Sequence, residues 1–145
     1  MRRPAPVKKK ASKWPLFLIL GMAFAGYFFF IRPTFFDDSP DMFAKLDYIE
    51  LKDVSPKSVF IDSRPKAEFQ KGSVPRAVNI PEDDFSAGYF RMMGDLIPGY
   101  QIVIFGDPMR IDVTEMTARK LLRKKVEGLR VYKGSPADLQ KIVPK

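Results

Sequence analysis

Asp62-Ser63-Arg64-Pro65-Lys66-Ala67-Glu68-Phe69-Gln70-Lys71-Gly72-Ser73-Val74-Pro75-Arg76-Ala77-Val78-Asn79-Ile80-Pro81 is the stretch whose reading decides the fold. It follows a short β-prone run at residues 58–61 that stops at Asp62. Pro65 suits the first turn of a helix over residues 65–70, and Gly72 suits its end. Residues 77–80 make a second short strand, stopped by Pro81. Arg64 and Glu68 are spaced to pair across one helical turn. A half-buried Arg–carboxylate pair would hold this strand-to-helix corner, and breaking it would leave a charge without its partner. Asp62, Arg64, Glu68, Gly72 and Pro75 are therefore read as framework rather than chemistry.

Outward from this stretch, strand and helix signals keep alternating. Residues 82–96 place Phe85, Tyr89, Met93 and Leu96 at helical spacing. Residues 101–105, Gln-Ile-Val-Ile-Phe, form the continuous apolar run expected of a central parallel strand. Residues 114–126 give the clearest helix. Ala118, Leu121, Leu122 and Val126 are its apolar stripe, and Arg119, Lys120, Arg123 and Lys124 its wet face. Asp112 followed by Glu115 reads as a capping-box variant at its start. A last strand over 129–132 and a short helix over 137–142 complete the pattern. Such alternation predicts an α/β domain with a mainly parallel central sheet flanked by helices.

The opening stretch closely resembles the N-terminal signature of rhodanese-like domains: Asp-x-Arg, then Glu-Phe or Glu-Tyr, then Gly-His-Ile-Pro-Gly-Ala, then Asn-Ile-Pro. Asp62, Arg64, Glu68, Phe69, Gly72, Pro75, Ala77, Asn79, Ile80 and Pro81 fall in register. Ser73 replaces the usual His, and Arg76 the usual second Gly. The resemblance extends over about residues 47–141. It implies that residues 101–105 are the family's central strand and that the next residue opens the active-site loop. In the family that residue is a cysteine whose thiolate, cradled by backbone N–H groups and a helix N-terminus, accepts sulfur as a persulfide. Related phosphatases and arsenate reductases use the same thiolate on an oxyanion.

Here the position is Gly106, and the loop runs Asp107, Pro108, Met109, Arg110, Ile111, Asp112. Arg110 stands one place before the family's loop Arg, and Ile111 holds that place. Asp107 and Asp112 put carboxylates where an anion would be bound, and Asp112 is positioned to fill the cradle itself as an N-cap. The chain has no cysteine and no histidine. Thiolate chemistry, disulfides, Ser–His and Cys–His nucleophiles and cysteine metal sites are excluded. No catalytic residue, metal site or cofactor is expected.

The N-terminal part is of another kind. Residues 14–31 carry no charge, and at 1.5 Å per residue they span roughly 27 Å, close to the ~30 Å core of a bilayer. Arg2, Arg3, Lys8, Lys9, Lys10 and Lys13 precede them with no acid among them. They account for most of the net charge of +8. From residue 32 onward nineteen basic residues face seventeen acidic ones, so the high pI reports the arm and not a nucleic-acid surface. The expected organisation is a basic cytoplasmic arm (1–13), a transmembrane helix (14–31), a linker (32–44) and the domain (45–145). The charge bias places the domain outside the cytoplasm, in the periplasm if the source is bacterial. Ala23-Phe24-Ala25 offers the alternative of a cleaved signal peptide, which would leave residues 27–31 as an exposed apolar N-terminus.

Three functional readings follow. The first is a catalytically inactive, membrane-anchored binding or scaffold module, with the altered loop 106–112 and the basic face 119–125 as surfaces and an unidentified protein partner. The basic face could also lean on anionic lipid. The second is an enzyme of non-cysteine chemistry using carboxylates such as Asp83 with Asp84 or Asp107 with Asp112. The third is an accessory subunit of a membrane complex. Gly21 and Gly26 are five apart and make no GxxxG motif.

Overall fold

The computed structural model describes residues 14–26, 37–94 and 99–143. The chain divides into two units, residues 1–37 and 38–145.

In the first unit, helix α1 spans Trp14–Gly26, thirteen residues and about 20 Å at the α-helical rise. Residues 27–31 of the uncharged run lie outside the described residues. Among the described residues no helix is long and apolar enough to cross a membrane. Ile19, Leu20, Met22 and Phe24 of α1 are each more than half exposed.

The second unit is a five-stranded parallel sheet with strand order β1-β5-β4-β2-β3. The strands are β1 (Tyr48–Ile49), β2 (Val59–Asp62), β3 (Val78–Asn79), β4 (Ile102–Phe105) and β5 (Leu129–Tyr132). Helices α2 (Lys66–Lys71), α3 (Phe85–Met93), α4 (Ile111–Arg123) and α5 (Pro136–Ile142) connect and cover them. The expected α/β architecture is present. Only β1, two residues long, left no sequence signal.

Both faces of the sheet are buried because successive side chains point opposite ways along a strand. Ile61, Ile102, Ile104 and Val131 pack with Phe85, Met92 and Leu121 on one face. Phe60, Val103, Phe105 and Tyr132 pack with Val74 and Leu139 on the other. All four residues of β4 are buried, which is why its sequence runs apolar without alternation.

Two helices differ from expectation. The segment read as one helix over 82–96 opens as a 3-10 turn, Glu82–Asp84, before α3 begins at Phe85. The buried side is Phe85, Gly88 and Met92; Met93 is half exposed, and Leu96 lies outside the described residues. A Cβ on Gly88 would lie 2.8 Å from the Asn79 carbonyl oxygen and 2.9 Å from Ile80 Cα, so glycine lets α3 sit directly on β3.

Helix α4 starts and stops three residues earlier than its stripe suggested. A 3-10 turn, Pro108–Arg110, feeds straight into it. At its other end Val126 N donates to Leu121 O and Lys125 N to Leu122 O, with Lys125 at φ 61°. This is a Schellman ending with lysine in the left-handed position usually held by glycine. Val126 is therefore buried beside Leu121 although the helix has ended.

Residues 38–44, read as linker, lie on the domain surface. Arg119 Nη1 donates to the carbonyls of Met42 (3.2 Å) and Ala44 (2.6 Å), and Ser86 Oγ donates to Asp38 Oδ2 at 2.6 Å.

Candidate functional site

The site lies where β2 and β4 end side by side, with Asp62 paired to Phe105 in register. Ser63, the residue that follows β2, lies at the floor of a cleft of about 500 Å³, and Gly106, the residue that follows β4, is buried. Ser63, Arg64 and Glu68 line it from one side, and Asp107, Arg110 and Thr114 from the other.

Asp62 organises the first wall. Its carboxylate is fully buried. Oδ1 accepts from Arg64 N (2.9 Å) and Nε (3.0 Å), and Oδ2 accepts from Arg64 Nη2 and Ser73 Oγ, both at 2.6 Å. Arg64 Nη2 also donates to the Gly72 carbonyl at 2.8 Å. Hydrogen bonding to Asp62 is the main reason the Arg64 guanidinium is held charged above its ordinary pKa, opposed by burial and helped by the charges of Asp62, Glu68 and Asp107. Asn79 Nδ2 donates to the carbonyls of Asp62 (3.0 Å) and Arg64 (2.8 Å), tying β3 to the same corner.

This corrects the expected Arg64–Glu68 pair. Arg64 lies before α2, so helical i,i+4 spacing does not apply to it. Its partner is Asp62 at 2.6 Å, while Glu68 pairs with Lys71 at 2.6 Å near the surface. Pro75 is half-buried. Arg76 adopts φ 63° where the family motif has glycine.

The loop 106–112 forms the second wall. Asp107 caps the 3-10 turn: its side chain accepts from Met109 N at 2.9 Å, and its carbonyl accepts from Arg110 N at 2.9 Å. Asp107, not Asp112, is thus the capping residue; Asp112 is exposed within the first turn of α4 and makes no cap. Two backbone donors of the loop are consumed internally, so they are not aimed at a bound anion. Met109, 94% exposed, projects from the tip of the loop, and Arg110 is exposed at its side.

Beneath the loop lies a pair of hydroxyls that the sequence reading missed. Ser63 Oγ and Thr114 Oγ1 are 2.9 Å apart, and Ser63 Oγ also donates to the Phe105 carbonyl at 3.0 Å. Both residues are almost fully buried. A Cβ built on Gly106 would lie 2.5 Å from Ser63 Oγ and closer still to Thr114 Oγ1. The hydroxyl pair therefore occupies the space into which a side chain at position 106 would extend. One signal for Thr114 was available: Thr114, Thr117, Ala118 and Leu121 fall at helical spacing, and all four are buried. Counting threonine as polar concealed it.

Chemically the floor offers two hydroxyls bonded to each other and to a carbonyl. Among the described residues neither has a side-chain base within hydrogen-bond reach. Among the described residues no group of three carboxylates, histidines or cysteines could hold a metal ion.

Compared with known proteins, the chain matches the family model of the rhodanese-like domain over residues 47–141. No curated protein and no solved structure matches it.

Proposed function

The chain belongs to the rhodanese-like domain family, and from that premise we propose that it is a catalytically inactive member. It acts as a binding or scaffold module, held to a membrane by its N-terminal apolar segment with the domain outside the cytoplasm. The observation that carries inactivity is the filled space at Gly106. The nucleophile position has no side chain, and its room is taken by the Ser63–Thr114 pair. The turn capped by Asp107 supports the same reading, because its donors at Met109 and Arg110 are already used.

A surface for binding is supported by the loop tip. Met109 stands almost fully exposed beside an open cleft, and Arg110 presents a guanidinium next to it. Apolar area beside a donor-rich cation is the chemistry that anchors protein contacts. Membrane anchoring rests on the uncharged run 14–31 behind a basic arm, and on the exposed apolar side chains of α1, which call for an apolar environment.

Two measurements test this. A photo-crosslinker placed at Met109 of the intact protein, in its membrane, should capture a defined protein that the same probe at Lys52 does not. Equal capture at both positions refutes the loop as the binding surface. The purified protein should transfer no sulfur from thiosulfate to cyanide, and clear turnover refutes inactivity.

A further inference from the structure

The face on which the chain joins the domain carries features that neither the sheet nor the cleft uses. Asp38 begins the compact unit. It is fixed there by Ser86 Oγ at 2.6 Å and by Lys124 Nζ at 3.6 Å. Lys124 Nζ in turn sits 5.8 Å from the Tyr89 ring centroid, and the Tyr89 ring is 6.0 Å from that of Phe90. Ser86, Phe90 and Met93 recur at i, i+4 and i+7 on α3, so they form one stripe along the helix. Phe90 and Met93 are 48% and 50% exposed, although the opposite side of the same helix is buried.

Beside this stripe, helix α4 ends at Arg123 and is followed by Lys124 and Lys125, with Asp38 beside Lys124 and Glu127 as the next acid along the chain. Arg123 and Lys125 are exposed. The C-terminus of a helix carries partial negative charge that helps gather these cations. Half-exposed apolar side chains next to exposed cations match an anionic lipid surface, where apolar groups enter the acyl boundary and cations meet headgroups.

We infer that this face, Phe90 and Met93 with the basic end of α4, docks on an anionic bilayer surface. The inference rests on the membrane-anchor reading above. Only the six residues 32–37 separate the uncharged run from Asp38, and they reach at most ~20–25 Å. A face at the point of attachment is therefore the part of the domain that the tether keeps nearest to lipid. Docking would fix the domain's orientation.

The full chain contains one tryptophan, Trp14, within the apolar run. In vesicles of brominated phosphatidylcholine and phosphatidylglycerol, Trp14 of the native protein reports the anchor. A second protein, Phe90→Trp in a Trp14→Phe background, reports the face, with Met93→Trp as an independent probe should the first fail to fold. The expected result is a blue shift and loss of emission for both native and variant. The variant's loss should shrink when Arg123→Glu and Lys125→Glu are added or phosphatidylglycerol is omitted. Quenching of Trp14 with solvent-like, unquenched emission from both face probes overturns the docking surface and leaves the anchor standing. Absence of quenching at every position overturns both. Quenching of the face probes alone supports docking and refutes the anchor.

Discussion

Gly106→Cys restores the thiol that the family uses, and the structure predicts that it costs stability without giving activity. The new Cβ would meet Ser63 Oγ at 2.5 Å and Thr114 Oγ1 closer still. Both hydroxyls must turn away. That breaks the 2.9 Å Ser63–Thr114 bond and the 3.0 Å bond from Ser63 to the Phe105 carbonyl. Each buried hydrogen bond lost in this way costs about 1 kcal/mol, more if a group is left unsatisfied. Overpacking a tight site adds about 1–3 kcal/mol. A loss of about 3–5 kcal/mol is expected, which lowers the melting temperature of a domain this size by roughly 13–22 °C. Thermal unfolding of residues 38–145, followed by circular dichroism, measures it. The same substitution in a Ser63→Ala, Thr114→Ala background should cost under about 1 kcal/mol, because the obstructing atoms are gone. A melting temperature within ~2 °C of the native value, or equal costs in both backgrounds, would refute the packing argument. Robust sulfur transfer by the single variant would refute the account of the loop as a closed turn.

Arg64→Ala should destabilise the domain by about 3–5 kcal/mol in urea, since it leaves the buried Asp62 carboxylate without its cation, whereas Glu68→Ala should stay under about 1 kcal/mol. Equal effects would restore the helical pairing inferred from spacing. Leu121→Ala, at a fully buried position of α4, should cost ~2–5 kcal/mol by the same measurement, and an effect near zero would mean the helix face is wrongly placed. Arg76→Gly should be neutral or raise stability by up to about 1 kcal/mol, because it removes a side chain from φ 63°; a clear loss would show that the Arg76 side chain holds the turn. Burial, and then the charge of Asp138, push the Tyr132 phenol above its ordinary range, against a smaller opposing effect of Lys141. The fold thus favours the neutral phenol, so stability should fall as pH rises from ~10 to the folded-state value and then level off. Denaturant midpoints across that window, beside the ultraviolet phenolate titration, check it; unchanged midpoints up to the folded-state value would refute it.

The sequence by itself determined the α/β class, four of the five strands and the order of the helices. These rest on local rules: apolar periods, Pro and Gly punctuation, and a motif compact enough to keep its register. It also excluded thiolate and imidazole chemistry, because the absence of cysteine and histidine is a matter of composition. Tertiary structure decided what each motif residue touches. The Arg64–Glu68 spacing looked like a helical pair, but the helix begins after Arg64, and the partner is Asp62 two residues back. Spacing gives proximity along an assumed helix; only the fold fixes where that helix starts. The same limit applies to Lys125, whose left-handed cap is held by two backbone bonds that no glycine announced. Ser63 and Thr114 show it most clearly. They are 51 residues apart and meet because parallel β2 and β4 end together and α4 returns over them. Long-range juxtaposition carries no local signature, so the sequence could show that position 106 lacks a side chain, and only the packed structure could show that no room is left for one.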